Sequence, residues 1–236
     1  MSIFNFKQFS VSHEKSGIKI GTDAVLLGAI APVENIYRAL DIGTGCGVVA
    51  LMLLQRGIPQ MTAIEIDPEA AKEAQENARN SSWNDSVDIV CGNFCDKSLL
   101  KTLGTFDLIV SNPPFFTNAL HSPDKKRNIA RHTDALPFPL MLENVTTILN
   151  ETGTFCVILP HSEAQNFITL AQINRLYSSK KYIIYSKSNL PPIREILFLQ
   201  KNNIVSPKIQ RLTIYNQDGG YSDDFTALTK YFYLNL

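Results

Sequence analysis

The chain has 236 residues, 22 basic and 22 acidic side chains, and 44% hydrophobic residues. That length can bury a full core without disulfides or a structural metal, and the composition excludes disorder and fibrous repeats. No apolar run reaches the roughly 18 residues of a membrane span, and Met1–Ser10 lacks a signal-peptide core, so a cytoplasmic protein is expected.

Read in chain order, Phe4–Val11 and Ile18–Ile20 predict a short hairpin, followed by a helix at Thr22–Ile30. From there, runs rich in β-branched residues alternate with helical patterns, the signature of βαβ units. The strands are expected at Ala39–Ile42, Met61–Ile66, Val87–Cys91, Phe106–Ser111, Thr154–Leu159, Tyr182–Tyr185 and Glu195–Gln200. Helices are expected at Gly47–Arg56, Glu69–Asn80, Leu136–Leu149 and Glu163–Ile173. Asp67-Pro68 reads as an N-cap with proline at the first helical position. Leu212–Tyr215 reads as an edge strand and Asp223–Tyr231 as a last helix. The fold expected is α/β: a doubly wound, mostly parallel seven-stranded sheet with helices on both faces. A single domain over 1–236 is predicted, with residues 1–35 as an extension and 36–236 as the catalytic core.

The neutral charge is a cancellation. Residues 61–110 hold four basic and nine acidic groups, near −5, and residues 172–217 hold eight and one, near +7. Cys46, Cys91, Cys95 and Cys156 form no CxxC pair, and His13, His121, His132 and His161 are scattered, so reduced thiols and no metal are expected.

The strongest local signal is Asp41-Ile42-Gly43-Thr44-Gly45-Cys46-Gly47 between a strand and a helix. Glycines there let backbone approach a ligand at the sheet's switch point. Val48 stands where a dinucleotide fingerprint needs its third glycine, and Asp41 suits a ligand with an amino group better than a pyrophosphate. Glu65, at the end of the second core strand, is placed to accept from both ribose hydroxyls. Asn93-Phe94 offers an amide for an adenine edge and a ring for its face, or else a turn asparagine beside a core phenylalanine.

These residues together with Asn112–Phe116 resemble the class I S-adenosylmethionine-dependent methyltransferases, a Rossmann-like family. The resemblance implies that Gly43, Thr44, Gly45 and Gly47 line the cofactor with Asp41. It implies too that Glu65 holds the ribose, and Asn93 with Phe94 the adenine.

Asn112-Pro113-Pro114-Phe115 follows the fourth core strand. Two prolines stiffen the loop and leave carbonyls free to accept hydrogen bonds. The Asn112 oxygen and the Pro113 carbonyl suit the two hydrogens of an exocyclic amine, and Phe115 suits stacking on a flipped base. Adenine-N6, guanine-N2 and protein glutamine-amide methyltransferases use similar loops, and the loop alone leaves these acceptors open.

Phe4-x-Phe6-Lys7-Gln8-Phe9-x-Val11 followed by Lys19–Gly28 resembles the N-terminal signature of bacterial tRNA-Val adenine-N6 methyltransferases, which modify the adenine 3′ of the anticodon. The likeness runs on through Asn112–Phe116 and Ala130-Arg131-His132 to the Tyr221–Leu236 tail. It implies cofactor contacts from Thr22, Asp23 and Asn112, a tRNA anticodon stem-loop as partner, and a monomer acting with S-adenosylmethionine. Lys125, Lys126, Arg127 and Arg131, together with Lys180, Lys181 and Arg194 of the basic stretch, are the expected RNA contacts. Tyr177, Tyr182 and Tyr185 are interleaved as stacking rings. A protein glutamine-amide or rRNA guanine-N2 methyltransferase, and a cofactor-binding RNA module without catalysis, stand as alternatives.

Overall fold

Where the chain doubles back decides where a site can form. The computed structural model describes residues 3–16, 19–114, 136–203 and 206–235. In chain order come β1 (Ile3–Asn5), β2 (Ser10–Ser12), α1 (Thr22–Ile30), β3 (Arg38–Ile42), α2 (Val48–Gln55), β4 (Gln60–Glu65), α3 (Pro68–Arg79) and β5 (Val87–Cys91). Then follow α4 (Lys97–Leu103), β6 (Phe106–Ser111), α5 (Phe138–Ile148), β7 (Leu149–Pro160), α6 (His161–Ile173), β8 (Tyr177–Tyr185), β9 (Pro192–Gln200), β10 (Lys208–Thr213) and α7 (Asp223–Thr229).

The main sheet has eight strands, in the order β10-β8-β9-β7-β6-β3-β4-β5, and only β9 runs antiparallel to its neighbours. The doubly wound architecture is therefore the expected one, with one strand more. The eighth strand is β10, which pairs in parallel with β8 at the edge; it is the edge strand expected at Leu212–Tyr215, beginning earlier, at Lys208. From β3 the chain winds outward through β4 to β5, then returns to lay β6 on the other side of β3. The crevice past the ends of β3 and β6 is thus a topological switch point, the place where open α/β sheets bind ligands.

Strand alternation divides the core between the two faces of the sheet. Leu40, Ile42, Ile109, Phe155 and Leu197 face one cluster with Phe167 and Met141. Ala39, Leu108, Val110, Ile158 and Ile196 face the other, with α1, α2 and α7. Helix α2 is buried along Val48–Leu54 because α1, itself buried from Ala24 to Ile30, packs on it. Gly28 permits that approach: a Cβ there would stand 2.8 Å from Met52 Sδ.

The N-terminal hairpin is formed by β1 and β2, so it closes within the first predicted strand and leaves Ile20 outside it. Aromatic stacking ties it to the C-terminus. Phe6 bridges to Tyr233, the ring of Phe6 also stacks on Phe9, and Lys7 N donates to Phe232 O at 2.8 Å.

Candidate active site

Backbone hydrogen bonds anchor the start of the turn after β3. Gly43 N and Thr44 N both donate to Ile64 O, at 2.9 and 3.0 Å, so the glycine loop hangs from the end of β4. Gly43, Gly45 and Gly47 have φ of 71°, 58° and 83°, a left-handed conformation that costs any other L-residue. The space around them differs. At Gly47, the N-cap of α2, a Cβ would sit 3.5 Å from Ala74 Cβ, whereas at Gly43 it would meet nothing within 4 Å. That open space over Gly43 is a cradle that a Cβ would begin to fill.

Two carboxylates border the loop. Asp41 is 2% exposed and accepts from Thr44 Oγ1 at 2.6 Å. Burial pushes its carboxyl up to about 7; the Thr44 hydrogen bond opposes this and the nearby Glu65 charge adds to it. Glu65 is buried as well, with Oε2 accepting from Gly45 N at 2.8 Å and Oε1 from Asp67 N at 3.0 Å. A carboxylate offers about four acceptor sites, so two amide bonds leave capacity for ligand hydroxyls. Asp67 itself caps α3, accepting from Glu69 N and Ala70 N.

Asn112 leaves β6 beside this loop. Ser111 pairs in register with Ile42, and its hydroxyl donates to Ile42 O at 2.9 Å, so Asn112 emerges level with Gly43. Pro113 is buried, and Asn112 and Pro114 are half-buried. The open space over Gly43 and the two carboxylates at the ends of β3 and β4 offer the chemistry that a ligand carrying an ammonium and vicinal hydroxyls needs. Phe115, Lys125, Lys126, Arg127, Arg131 and His132 lie outside the described residues.

Other expected contacts are placed differently. Phe94 is 3% exposed, a core ring packed with Ile64 and Met141, and its carbonyl accepts from Asn144 Nδ2 at 3.0 Å. Burial leaves no open ring face, which corrects the expectation that Phe94 stacks on adenine. Asn93 Oδ1 accepts from Cys95 N at 2.8 Å, closing a turn. Thr22 opens α1, whose N-cap is Gly21 with no side-chain cap. Asp23 Oδ2 binds Arg194 Nε at 2.8 Å, so a residue expected on the cofactor and one expected on RNA are paired with each other.

The lysines expected on one basic surface are separated by strand alternation. Lys180 lies over the rings of Tyr182 and Phe198 on the α2 side of the sheet. Lys181 Nζ reaches the buried Glu195 Oε2 at 3.0 Å, and His161 Nδ1 meets Glu195 Oε1 at 2.7 Å. The one acid of the basic stretch is therefore spent on that pair.

A feature with no local sequence signature holds the N-terminal segment on the site. Glu73 of α3 accepts from Ser12 Oγ, Glu14 N, Lys15 N and Ser16 N, at 2.7 to 3.1 Å. Asn77, one turn on, accepts from Ser12 N and donates to Ser12 O and to Cys46 O of the glycine loop. The sequence does carry one trace of it. Both polar residues fall on the stripe of Ala70, Ala74 and Ala78 that faces the core, where an unpaired polar group would be costly.

Among the described residues no helix is long and apolar enough to cross a membrane, and no group of three or more His, Cys, Asp or Glu is placed to hold a metal. Residues 13–186 match the family model described as methyltransferase small domain. A protein of Bacteroides fragilis named tRNA1(Val) (adenine(37)-N6)-methyltransferase is 41% identical, over 99% of this chain and 98% of its own. One of the same name from Serratia proteamaculans is 37% identical over 98% of this chain and 89% of its own. The crystal structure of a predicted O-methyltransferase from Agrobacterium tumefaciens superposes with a TM-score of 0.68 at 15% identity, covering 89% of this chain and 96% of that one, a likeness of fold. The chain therefore belongs to the methyltransferase small domain family, among the tRNA1(Val) (adenine(37)-N6)-methyltransferases.

Proposed function

We propose that this protein transfers a methyl group from S-adenosylmethionine to the exocyclic N6 of an adenine in tRNA, the adenine 3′ of the anticodon in a valine tRNA. The observation that carries the reading is the register of Ser111 with Ile42, which sets Asn112 and Pro113 at the mouth of the glycine loop. The full-length identity to the curated relatives selects the acceptor.

The bound cofactor supplies a methyl group on a sulfonium, an electrophile needing no metal. The chain's own residues bind and orient. Glu65 accepts ribose hydroxyls, Asp41 as a carboxylate faces the ligand's ammonium, and Gly43 leaves room for both. The Asn112 side-chain oxygen and the Pro113 carbonyl accept the two hydrogens of the adenine amine. An aromatic amine is a weak nucleophile because its lone pair is delocalised into the ring. Two acceptors fixed before the reaction favour a pyramidal nitrogen, freeing that lone pair at no reorganisation cost. Proline at 113 and 114 keeps the loop stiff and free of competing N–H donors. Phe115 is proposed to stack on the flipped base, with Lys125, Lys126, Arg127 and Arg131 gripping phosphates beside it. The protein is proposed to act as a single-domain monomer in the cytoplasm.

The test is incubation with bulk tRNA and methyl-labelled cofactor, followed by digestion to nucleosides. The reading predicts label in N6-methyladenosine. Label in N2-methylguanosine or in protein would assign the loop to a different acceptor, and no transfer at all would leave a binding module.

A further inference from the structure

Ser16 is where the N-terminal segment comes closest to the glycine loop. Its Cβ lies 3.9 Å from the position a side-chain carbon on Gly45 would take, and Gly45 is the residue whose amide donates to Glu65. Ser16 is 6% exposed, and its Oγ is buried with no hydrogen-bond partner among the described residues. Sealed hydroxyls almost always find one, because leaving a buried polar group unpaired is expensive. Nor is the residue loosely held: its own amide donates to Glu73 Oε2 at 2.9 Å, within the set of bonds by which Glu73 gathers residues 12–16. The amide is satisfied and the hydroxyl is left over, at the Glu65 end of the loop.

We propose that the Ser16 hydroxyl hydrogen-bonds the ribose of the bound cofactor, completing the sugar subsite with Glu65, and that Glu73 is the positioning residue that holds it there. The chemistry is complementary. An ionised carboxylate only accepts, whereas a hydroxyl can donate, so Ser16 supplies the donor to a ribose oxygen that Glu65 cannot. The proposal rests on the reading of the site as one for S-adenosylmethionine.

Calorimetric titration of the full chain with S-adenosylhomocysteine and with 5′-methylthioadenosine, which keeps the sugar and lacks the amino acid, tests it. Ser16→Ala weakens both ligands by the same factor, about fivefold, while the ligand-free melting temperature is unchanged or higher, since an unsatisfied hydroxyl has been removed. A loss confined to S-adenosylhomocysteine would overturn the ribose contact. Unchanged affinity, or a lower ligand-free melting temperature, would make Ser16 structural. Ser16→Cys keeps nearly the same volume with a weak hydrogen-bonding group and behaves like the alanine variant in affinity. Glu73→Gln weakens both ligands in the wild-type background and costs no further affinity in Ser16→Ala; equal losses in both backgrounds would refute positioning through Ser16. Wild-type protein that binds neither ligand would refute the methyltransferase reading itself, whereas normal wild-type binding with an indifferent Ser16→Ala refutes only this inference.

Discussion

The proposed contact of Asp41 with the cofactor ties affinity to pH in a direction that the environment of Asp41 fixes. Burial, partly offset by Thr44 and reinforced by Glu65, holds its carboxyl up to about 7, so near pH 6 about nine in ten molecules carry it protonated. A ligand ammonium needs the carboxylate. Binding should therefore take up the cost of removing that proton, and the apparent affinity at about pH 6 should be about eightfold weaker than at about pH 7.5. Calorimetry with S-adenosylhomocysteine reads both the affinity and, through buffers of different ionisation enthalpy, the proton released. Asp41→Asn should bind weakly and lose the pH dependence. A flat wild-type profile, or a slope that survives Asp41→Asn, would refute the reasoning. Folding stability carries the opposite sign. Because the folded-state pKa is raised, the contribution of Asp41 is fully present below the ordinary carboxylate range and is lost as the pH climbs through about 7.

The remaining predictions address the loop, the clamp and the substrate. Asn112→Ala should cut methyl transfer by at least about 100-fold while S-adenosylhomocysteine binding stays within a few fold; binding that collapses in parallel would make Asn112 structural. Gly43→Ala forces a side chain into φ of 71° and into the open cradle, so it should cost about 1–2 kcal/mol of stability and lose more than about tenfold in ligand affinity. Equal affinity by calorimetry would place the ligand elsewhere. At Glu73, burial alone would raise the carboxyl, but the hydrogen bonds from Ser16, Lys15, Ser12 and Glu14 outweigh it and hold it below the usual range. The stability it gives is therefore present above the ordinary glutamate pKa and lost as the pH falls through the folded-state value. The gap between wild type and Glu73→Gln in denaturant melts should be about 1–2 kcal/mol at neutral pH and close in acid. The KM for tRNA should rise steeply with salt in steady-state assays; an indifferent KM would remove the phosphate-contact account.

The parts of this molecule governed by local chemistry were readable from the chain. The Asp41–Gly47 turn, the Asp67-Pro68 helix start and the strand that delivers Asn112 each follow from residues adjacent in sequence. Elements stabilised by distant partners were not. Strand β8 starts at Tyr177 rather than Tyr182 because the polar residues before Tyr182 are paired by distant partners: Ser178, Lys180 and Lys181 lie opposite Leu199, Phe198 and Leu197 of β9, and Lys180 and Lys181 also lie beside Lys208 and Ile209 of β10. Helix α4 has seven residues, of which only Leu100 and Leu103 are buried, too few to set a period. The Glu73 and Asn77 clamp reaches an N-terminal segment 57 to 65 residues away, and the glycine loop 31 residues away. Phe94 shows the converse. A phenylalanine after a strand reads equally as a stacking ring or a core ring, and only the packing against Met141 and Ile64 decides.

The charge pattern was legible as a sum and not as a surface. The stretch near +7 is real, but Lys180 and Lys181 lie on opposite faces of β8, and Arg194 is neutralised by Asp23. A run of basic residues on a strand is split by alternation, so the exposed positive charge of this region includes Lys208 and Arg211 on the edge strand β10, with Arg211 lying over the Tyr185 ring.

The central claim, that methyl transfer ends on one adenine N6, is tested most directly with two synthetic valine anticodon stem-loops differing at the base 3′ of the anticodon. With methyl-labelled cofactor, the account predicts N6-methyladenosine in the stem-loop that carries adenine there and no label in the one that carries guanine. Label in both, or in neither while bulk tRNA is methylated elsewhere, would contradict it.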